Sequence, residues 1–158
     1  MDGIVLLRED HKKVETLFKE YEKSRESATT AQKRALVDQI CEALTTHAYI
    51  EERIFYPAAR EAAPATGAHV LESVEEHHVV AWLLSEVRTL DPGDETFDAK
   101  VAVLMENVRH HVQEEEQEWF PEVRKALGRN ALVELGEEMA KARSDAPADP
   151  LALQSARS

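Results

Sequence analysis

Residues 47–57 read HAYIEERIFYP, and residues 111–121 read HVQEEEQEWFP. Each stretch has a His, a Glu four residues later, an aromatic pair and a closing Pro. An isolated His precedes each stretch, in the acidic segments EDH at residues 9–11 and EEH at residues 75–77. A twofold repeat of one His and one HxxxE unit is the set that a two-metal site between four helices requires. The repeat therefore predicts a bundle in which every long helix carries part of one site.

The composition favours a single helical domain. The chain has 158 residues, of which 43% are apolar, and only five Gly and six Pro interrupt it. This length suits one hydrophobic core, and the abundance of Ala, Leu, Glu and Lys favours helix over sheet. The net charge of −12 is unfavourable for binding to nucleic acid or to an anionic membrane surface. Its simplest consequence is solubility.

Cysteine content and hydropathy indicate an ordinary soluble protein. Cys41 is the only cysteine, so no disulfide within the chain is possible. The apolar run at the N-terminus is too short for a signal peptide, and no stretch is long enough to span a membrane. We therefore expect a cytoplasmic protein.

Apolar periodicity predicts an all-α, up-down-up-down four-helix bundle with two related halves. Pro57 and Pro121 lie inside the second and fourth helices and should kink them. Gly128 should end the fourth. The predicted helices cover residues 2–25, 31–62, 68–90, 96–127 and 130–142. The bundle is expected at 1–128, an appended short helix at 129–144, and a disordered tail at 145–158.

Polar residues occupy the middle of the apolar stripe on all four long helices. A His and a Glu four residues apart differ by about 40° around a helix, so both face the interior. Buried carboxylates without partners cost several kcal/mol each, and a pair of cations would compensate them. One such His alone would usually be an ordinary core residue, but the recurrence in register favours a metal site. The predicted ligands are His11, His47, Glu51, His77, His111 and Glu115.

The ligand chemistry limits the metal. Imidazole and carboxylate without thiolate suit Fe, Mn or Zn, and argue against Cu(I), an Fe–S cluster or Ca. If Glu51 and Glu115 both bridge, each ion receives two His and two carboxylate oxygens. A place for a bridging oxide or hydroxide and for an external ligand then remains, which indicates chemistry or ligand binding.

At this point the motifs resemble the hemerythrin-like HHE cation-binding domain, over about residues 3 to 127. The resemblance implies a left-handed four-helix bundle that holds two Fe ions as a non-haem, oxo- or hydroxo-bridged centre. It also implies reaction with dioxygen, peroxide or nitric oxide.

Two features differ from the oxygen-carrying hemerythrins that the chain resembles. Those proteins have a fifth His from an HxxxH pair on the third helix, whereas Ser73 and Ala81 flank His77 here. They also carry an Asp five residues after the last His, a place that Glu116 occupies. HxxxE is the better match in this chain. A centre with one His fewer is more open to small oxidants, which favours redox chemistry or sensing over reversible oxygen carriage.

Other residues near the stripe are secondary candidates. Tyr56 corresponds to Phe120 in the other half, and a kink at Pro57 could aim its phenol at a metal as a proton donor or ligand, which makes it the catalytic candidate. His69 could approach the site from the third helix. His78 and His110 are turned about 100° away from the stripe. Residues 114–118 are expected to form a solvated acidic face, apart from the ligand Glu.

Three functions remain open at the level of sequence. The first is a di-iron protein that consumes hydrogen peroxide or reduces dioxygen, with catalase-like or oxidase activity. The second is a non-catalytic module that binds or senses O2, NO or iron. The third is a metal-free helical interaction protein, which the polar stripe argues against. The expected partners are small diatomic or peroxide ligands, with no nucleic acid and no membrane, and the sequence leaves the oligomeric state open.

Overall fold

Helices form nearly all of the computed structural model, which describes residues 1–155 and the side chains of residues 1–153. No strand occurs within these residues, and none of their helices is both long and apolar enough to cross a bilayer. The α-helices are α1 (Gly3–Ser24), α2 (Thr30–Ile50), α3 (Tyr56–Ala62), α4 (Gly67–Thr89), α5 (Phe97–Glu114), α6 (Phe120–Ala142) and α7 (Ala152–Ser155). The fold class predicted from the sequence is confirmed.

Side-chain caps fix the starts of the first two helices. Asp2 accepts a hydrogen bond from the backbone N–H of Val5 at 2.8 Å. Thr29 and Gln32 form a reciprocal capping box at the start of α2. Both arrangements satisfy backbone donors that have no partner inside the helix.

Each predicted proline kink takes the form of a π-helical turn. The first π-turn is Glu51–Phe55, between α2 and α3, and the second is Glu115–Trp119, between α5 and α6. The N–H groups of Tyr56 and Phe120 bond to carbonyls five residues back, those of the two glutamates. The proline that follows has no N–H and its ring crowds the preceding turn, so a wider turn accommodates it.

The bundle packs α1 against α2 and α4 against α5, with α2 against α4 and α1 against α6 closing it. Gly128, at φ 79°, breaks α6 and turns its second part back onto the start of α1. This part corresponds to the short fifth helix expected at residues 130–142. At Gly136 an added Cβ would lie 2.0 Å from the carbonyl oxygen of Met1, so the contact requires glycine.

Two apolar clusters fill the bundle, with a polar layer between them. Along α1, Leu7 belongs to one cluster and Val14 to the other, and His11 lies between. The same order holds on α2, where His47 separates Leu44 from Ile50. The six predicted ligands therefore lie inside the bundle, away from its ends.

The C-terminal segment differs from the disorder expected over residues 145–158. A 3₁₀ turn, Arg143–Asp145, follows α6, and α7 ends the described part. Pro150 is buried and Leu153 is 5% exposed. The expectation rested on the polar, proline-containing composition, and it overlooked two apolar side chains that the bundle can bury. Residues 156–158 lie outside the described residues.

Candidate metal centre

The four long helical segments bring all six predicted ligands into one buried layer. The two glutamates have no exposed surface, and the four histidines are 6–7% exposed. Among the described residues, three groups of three could each hold an ion, because one ligand atom from each member lies within 4.8 Å of the others. The group of Glu76, His110 and Glu114 is partly exposed, whereas two groups are fully buried in the layer. The buried groups are His11, His47 and Glu115, and Glu51, His77 and His111.

The histidines form two pairs, and each carboxylate reaches both. His11 and His47 have ring centroids 4.9 Å apart, as do His77 and His111. Glu51 Oε1 lies 2.9 Å from Nε2 of His47 and 3.4 Å from Nε2 of His77. An ion beside either pair would therefore meet the same carboxylate.

Glu115 repeats this arrangement from the other half of the bundle. Its Oε1 lies 3.3 Å from Nε2 of His11, and its Oε2 lies 3.3 Å from Nε2 of His111. The two carboxylates thus join the two pairs on opposite sides, as bridging ligands do.

Several buried ligand atoms have no hydrogen-bond partner among the described residues. They are the Nε2 atoms of His11, His47 and His111, both oxygens of Glu51, and Oε1 of Glu115. Buried polar atoms left in this state are costly. All of them are electron-pair donors that face one another, so a pair of cations fits the donor set.

Each of the four histidines in the layer is oriented by a carboxylate outside the layer. Because an ionised carboxylate only accepts, each Nδ1 carries the proton and each Nε2 is left to face the centre. The Nδ1–oxygen distances are 2.8 Å for His11–Glu116, 2.9 Å for His47–Asp10, 2.7 Å for His77–Glu52 and 2.9 Å for His111–Glu76.

Sequence reasoning missed this outer carboxylate set. Glu116 was assigned to a solvated face, yet it accepts from His11 and is only partly exposed. A signal was present, because each of the four acids directly precedes or follows a predicted ligand in the sequence. The same acids obey the twofold repeat, with Asp10 matching Glu76 and Glu52 matching Glu116.

The charges of the layer favour cationic occupants. Burial lowers the pKa of His47, but Glu51 and Asp10 outweigh it and raise that pKa to about 10. Burial likewise opposes protonation of His111, yet Glu115 holds its pKa well above the ordinary value. Burial raises the pKa of Glu115, and the attraction of His111 and His11 overrides it and keeps that pKa well below the ordinary range. Protons therefore occupy positions that metal ions would take.

Tyr56 reaches the layer, whereas Phe120, its counterpart, provides only a ring. The Tyr56 hydroxyl donates to Glu115 Oε2 at 2.8 Å and lies 3.3 Å from Nε2 of His77. Burial and the two carboxylates raise the pKa of Tyr56 well above its ordinary value. The π-turn adds one residue before Tyr56, which rotates the following helix by about 100° relative to an unbroken one.

The remaining histidines lie outside the layer. His69 stacks on Trp119 with ring centroids 4.9 Å apart, and it belongs to none of the groups of three. His78 and His110 instead pair with Glu75 and Glu114 on the surface. Helical periodicity predicted that the side chains of His78 and His110 would point away from the layer.

Comparisons with known proteins agree with the helical fold and with cation binding. The family model described as the hemerythrin HHE cation binding domain matches residues 2–123. A crystal structure of a hemerythrin HHE cation binding domain-containing protein from Mycobacterium kansasii is similar, with a TM-score of 0.75 and 22% identity. The similarity covers 100% of this chain and 93% of that one.

A curated protein of Nostoc sp., named DNA nickase, is 28% identical over 139 residues. The matched region is 88% of this chain but 38% of that protein. The likeness therefore concerns one part of a longer relative.

Proposed function

Because this chain belongs to the hemerythrin HHE cation-binding domain family, we propose that it holds two iron ions and reacts with hydrogen peroxide or dioxygen. His11 and His47 would serve one ion, and His77 and His111 the other. Glu51 and Glu115 would bridge them. The observation that carries this assignment is the reach of each buried carboxylate to one His of either pair.

The donor set supports iron and an open coordination place. Imidazole and carboxylate ligands suit non-haem iron, and Cys41 belongs to the apolar cluster rather than to the layer. Ser73 and Ala81, one turn to either side of His77, offer no imidazole. One ion consequently has fewer protein ligands than in a five-His site, and a small ligand can bind there.

The chemistry needs electrons from the metal and protons from the protein. When bound, two ferrous ions would supply the two electrons that, with two protons, convert one H2O2 to two waters. Tyr56 keeps its proton at physiological pH and presents it at Glu115 and His77. It is therefore placed to donate that proton to a ligand bound between them.

Hydrophobic side chains exclude bulk water from the Tyr56 side of the layer. Phe55, Trp119 and Phe120 pack against one another with ring centroids 5.5–6.0 Å apart and are at most 2% exposed. A dry surrounding strengthens the electrostatic effect of the few polar groups that remain.

Peroxide consumption by the iron-loaded protein tests this function. We expect the reduced protein to consume H2O2 and to change its near-ultraviolet absorption as the centre oxidises. Zinc-loaded protein is the matched control, because zinc has no redox chemistry. Iron-loaded protein that consumes no more peroxide than the zinc form would contradict the proposal.

The alternative is reversible binding or sensing of O2, NO or iron without turnover. A small apolar cavity beside the histidines supports ligand binding as such. The two functions separate in one experiment, since a binding module changes its spectrum with NO but consumes no peroxide. We do not extend DNA nicking to this chain, because a net charge of −12 opposes contact with phosphate backbones.

A further inference from the structure

A small cavity adjoins the metal-binding layer, and Tyr56, which belongs to one of the two apolar clusters, does not line it. Its volume is about 40 Å³, and the rings of all four layer histidines line it. Val14, Leu44, Leu84 and Val108 from the other apolar cluster complete most of its wall. A ligand in this cavity would therefore touch the histidines on one side and aliphatic side chains on the other.

The outer part of the wall comes from the end of the described chain. Pro150 and Leu153 line the cavity, and both are buried. The family match ends at residue 123, so this part of the wall lies outside the matched region. We call residues 143–153 the C-terminal strap.

Two ion pairs and a turn hold the strap across the bundle. Arg143 donates to Asp10 at 2.7 Å, and Asp10 is also the acceptor of the His47 ring proton. Further along, Asp149 lies 3.8 Å from Arg88 of α4. Asp149 also accepts from the backbone N–H of Leu151 at 3.0 Å, which starts the turn that carries Leu153 inward.

The size of the cavity limits what it can hold. A cavity that holds one water molecule needs a volume of roughly 10–15 Å³. A space of about 40 Å³ therefore admits a molecule of two or three heavy atoms, and its apolar wall disfavours an ionic one.

We propose that the C-terminal strap makes the metal centre selective for small uncharged ligands, with Leu153 and Pro150 as the residues that set the size limit. NO, O2 and H2O2 are small enough, whereas an organic hydroperoxide is excluded. The identity of the centre rests on the function proposed above, but the cavity and its wall do not.

The first experiment measures the cavity without redox chemistry. Xenon binding to zinc-loaded protein is followed by ¹²⁹Xe NMR in wild type, Leu153→Ala and Leu151→Ala. Leu151 is the matched control, because it lies in the same strap but outside the cavity wall. We expect several-fold tighter xenon binding in Leu153→Ala only, and weaker binding than wild type in Leu153→Phe, which fills the space. Identical xenon binding in all four proteins would overturn the proposal.

The second experiment measures selectivity at the iron centre. Reduced iron-loaded proteins are mixed with H2O2 or with tert-butyl hydroperoxide in a stopped-flow instrument. Wild type and Leu151→Ala should react far faster with H2O2 than with the bulky hydroperoxide. Leu153→Ala should react several-fold faster than wild type with the bulky hydroperoxide, so that its preference for H2O2 decreases. Equal rates of wild type with both oxidants would overturn the strap's role. If wild type reacts with neither oxidant, the proposed function fails. The xenon measurement then still tests whether Leu153 limits the size of the cavity.

Discussion

Glu116 is partly exposed, yet it determines how the buried His11 faces the centre. Its carboxylate accepts the hydrogen bond of the His11 Nδ1–H, with Nδ1 and Oε2 2.8 Å apart, so Nε2 is the nitrogen that faces the layer. Loss of such an outer partner typically lowers metal affinity by about 10- to 100-fold. The structure thus extends the candidate site from six residues to ten. Mutation of any of the four additional carboxylates changes the support of a histidine and leaves all six predicted ligands in place.

The first prediction concerns this outer carboxylate. Glu116→Gln should weaken metal binding by about 10- to 100-fold, because the amide no longer favours the Nδ1–H form of His11. Glu118→Gln is the control, since Glu118 is exposed and lies in the same π-turn. Competition with a chelator measures both affinities. Equal affinities in the two variants would show that Glu116 does not orient the imidazole.

The second prediction concerns Tyr56. Tyr56→Phe removes the hydroxyl that donates to Glu115 and makes the position equivalent to Phe120. Metal content should stay unchanged. The rate of peroxide consumption should fall by about 10²- to 10⁴-fold, because a positioned proton donor usually contributes this factor to the rate. Elemental analysis and oxygen or peroxide assays separate the two effects. A variant that consumes peroxide at the wild-type rate would show that Tyr56 contributes only to packing.

At the scale of elements, the sequence predicted the helices well and their interruptions less well. The predicted ends of α1 and α4 lie within one residue of the observed ends, and at α1 the side-chain cap of Asp2 marks the start. Pro57 and Pro121 indicated disturbed helices, but a missing N–H does not specify whether the helix bends or widens. The π-turns that resulted decide where Tyr56 points, so its contact with Glu115 could only be suggested.

The proximity of the six predicted ligands was accessible to sequence reasoning for a related reason. A spacing of four residues keeps His47 and Glu51 on one face up to the start of the π-turn. The outer carboxylates belong to neighbouring helices, so their pairing with each His depends on how the helices are rotated against one another. The burial of Leu153 depends in the same way on tertiary packing, which composition does not encode.

The third prediction tests the packing of α6 against α1. Gly136→Ala would place a methyl group 2.0 Å from the carbonyl oxygen of Met1, and relief of this overlap should cost about 1–3 kcal/mol of unfolding free energy. Gly67→Ala is the matched control, because its nearest neighbour would be the Arg60 side chain at an ordinary 3.7 Å. Denaturant unfolding of both variants gives the difference. If Gly136→Ala is as stable as wild type, the close approach of the two elements is wrong.

The whole molecule buries a charged layer that metal ions are expected to stabilise. The raised histidine pKa values mean that protons compete with the ions for the same Nε2 atoms. The His47 pKa is about 10 in the folded metal-free chain, against an ordinary value of 6.5. The stabilising effect of this proton is complete below pH 6.5 and is lost as the pH rises toward 10.

The fourth prediction follows from that competition. The metal-free protein should melt at a lower temperature than the loaded protein, and the gap should widen as the pH rises from 6.5 toward 10. The loaded protein is more stable because ions bind to the native state. At a free ion concentration of 100 times Kd, each site adds about 2.7 kcal/mol to the free energy of unfolding. Calorimetry of both forms at several pH values measures the gap. A gap that narrows with rising pH would contradict the sign of the shift.

The number of metal ions per chain tests the central claim most directly. Elemental analysis of fully loaded wild-type protein should give two ions per chain. Glu115→Gln should hold fewer, because one side of the bridge is lost, whereas Glu114→Gln, which alters the adjacent surface glutamate, should still hold two. One ion per wild-type chain, or two ions retained in Glu115→Gln, would contradict a centre in which this carboxylate joins two ions.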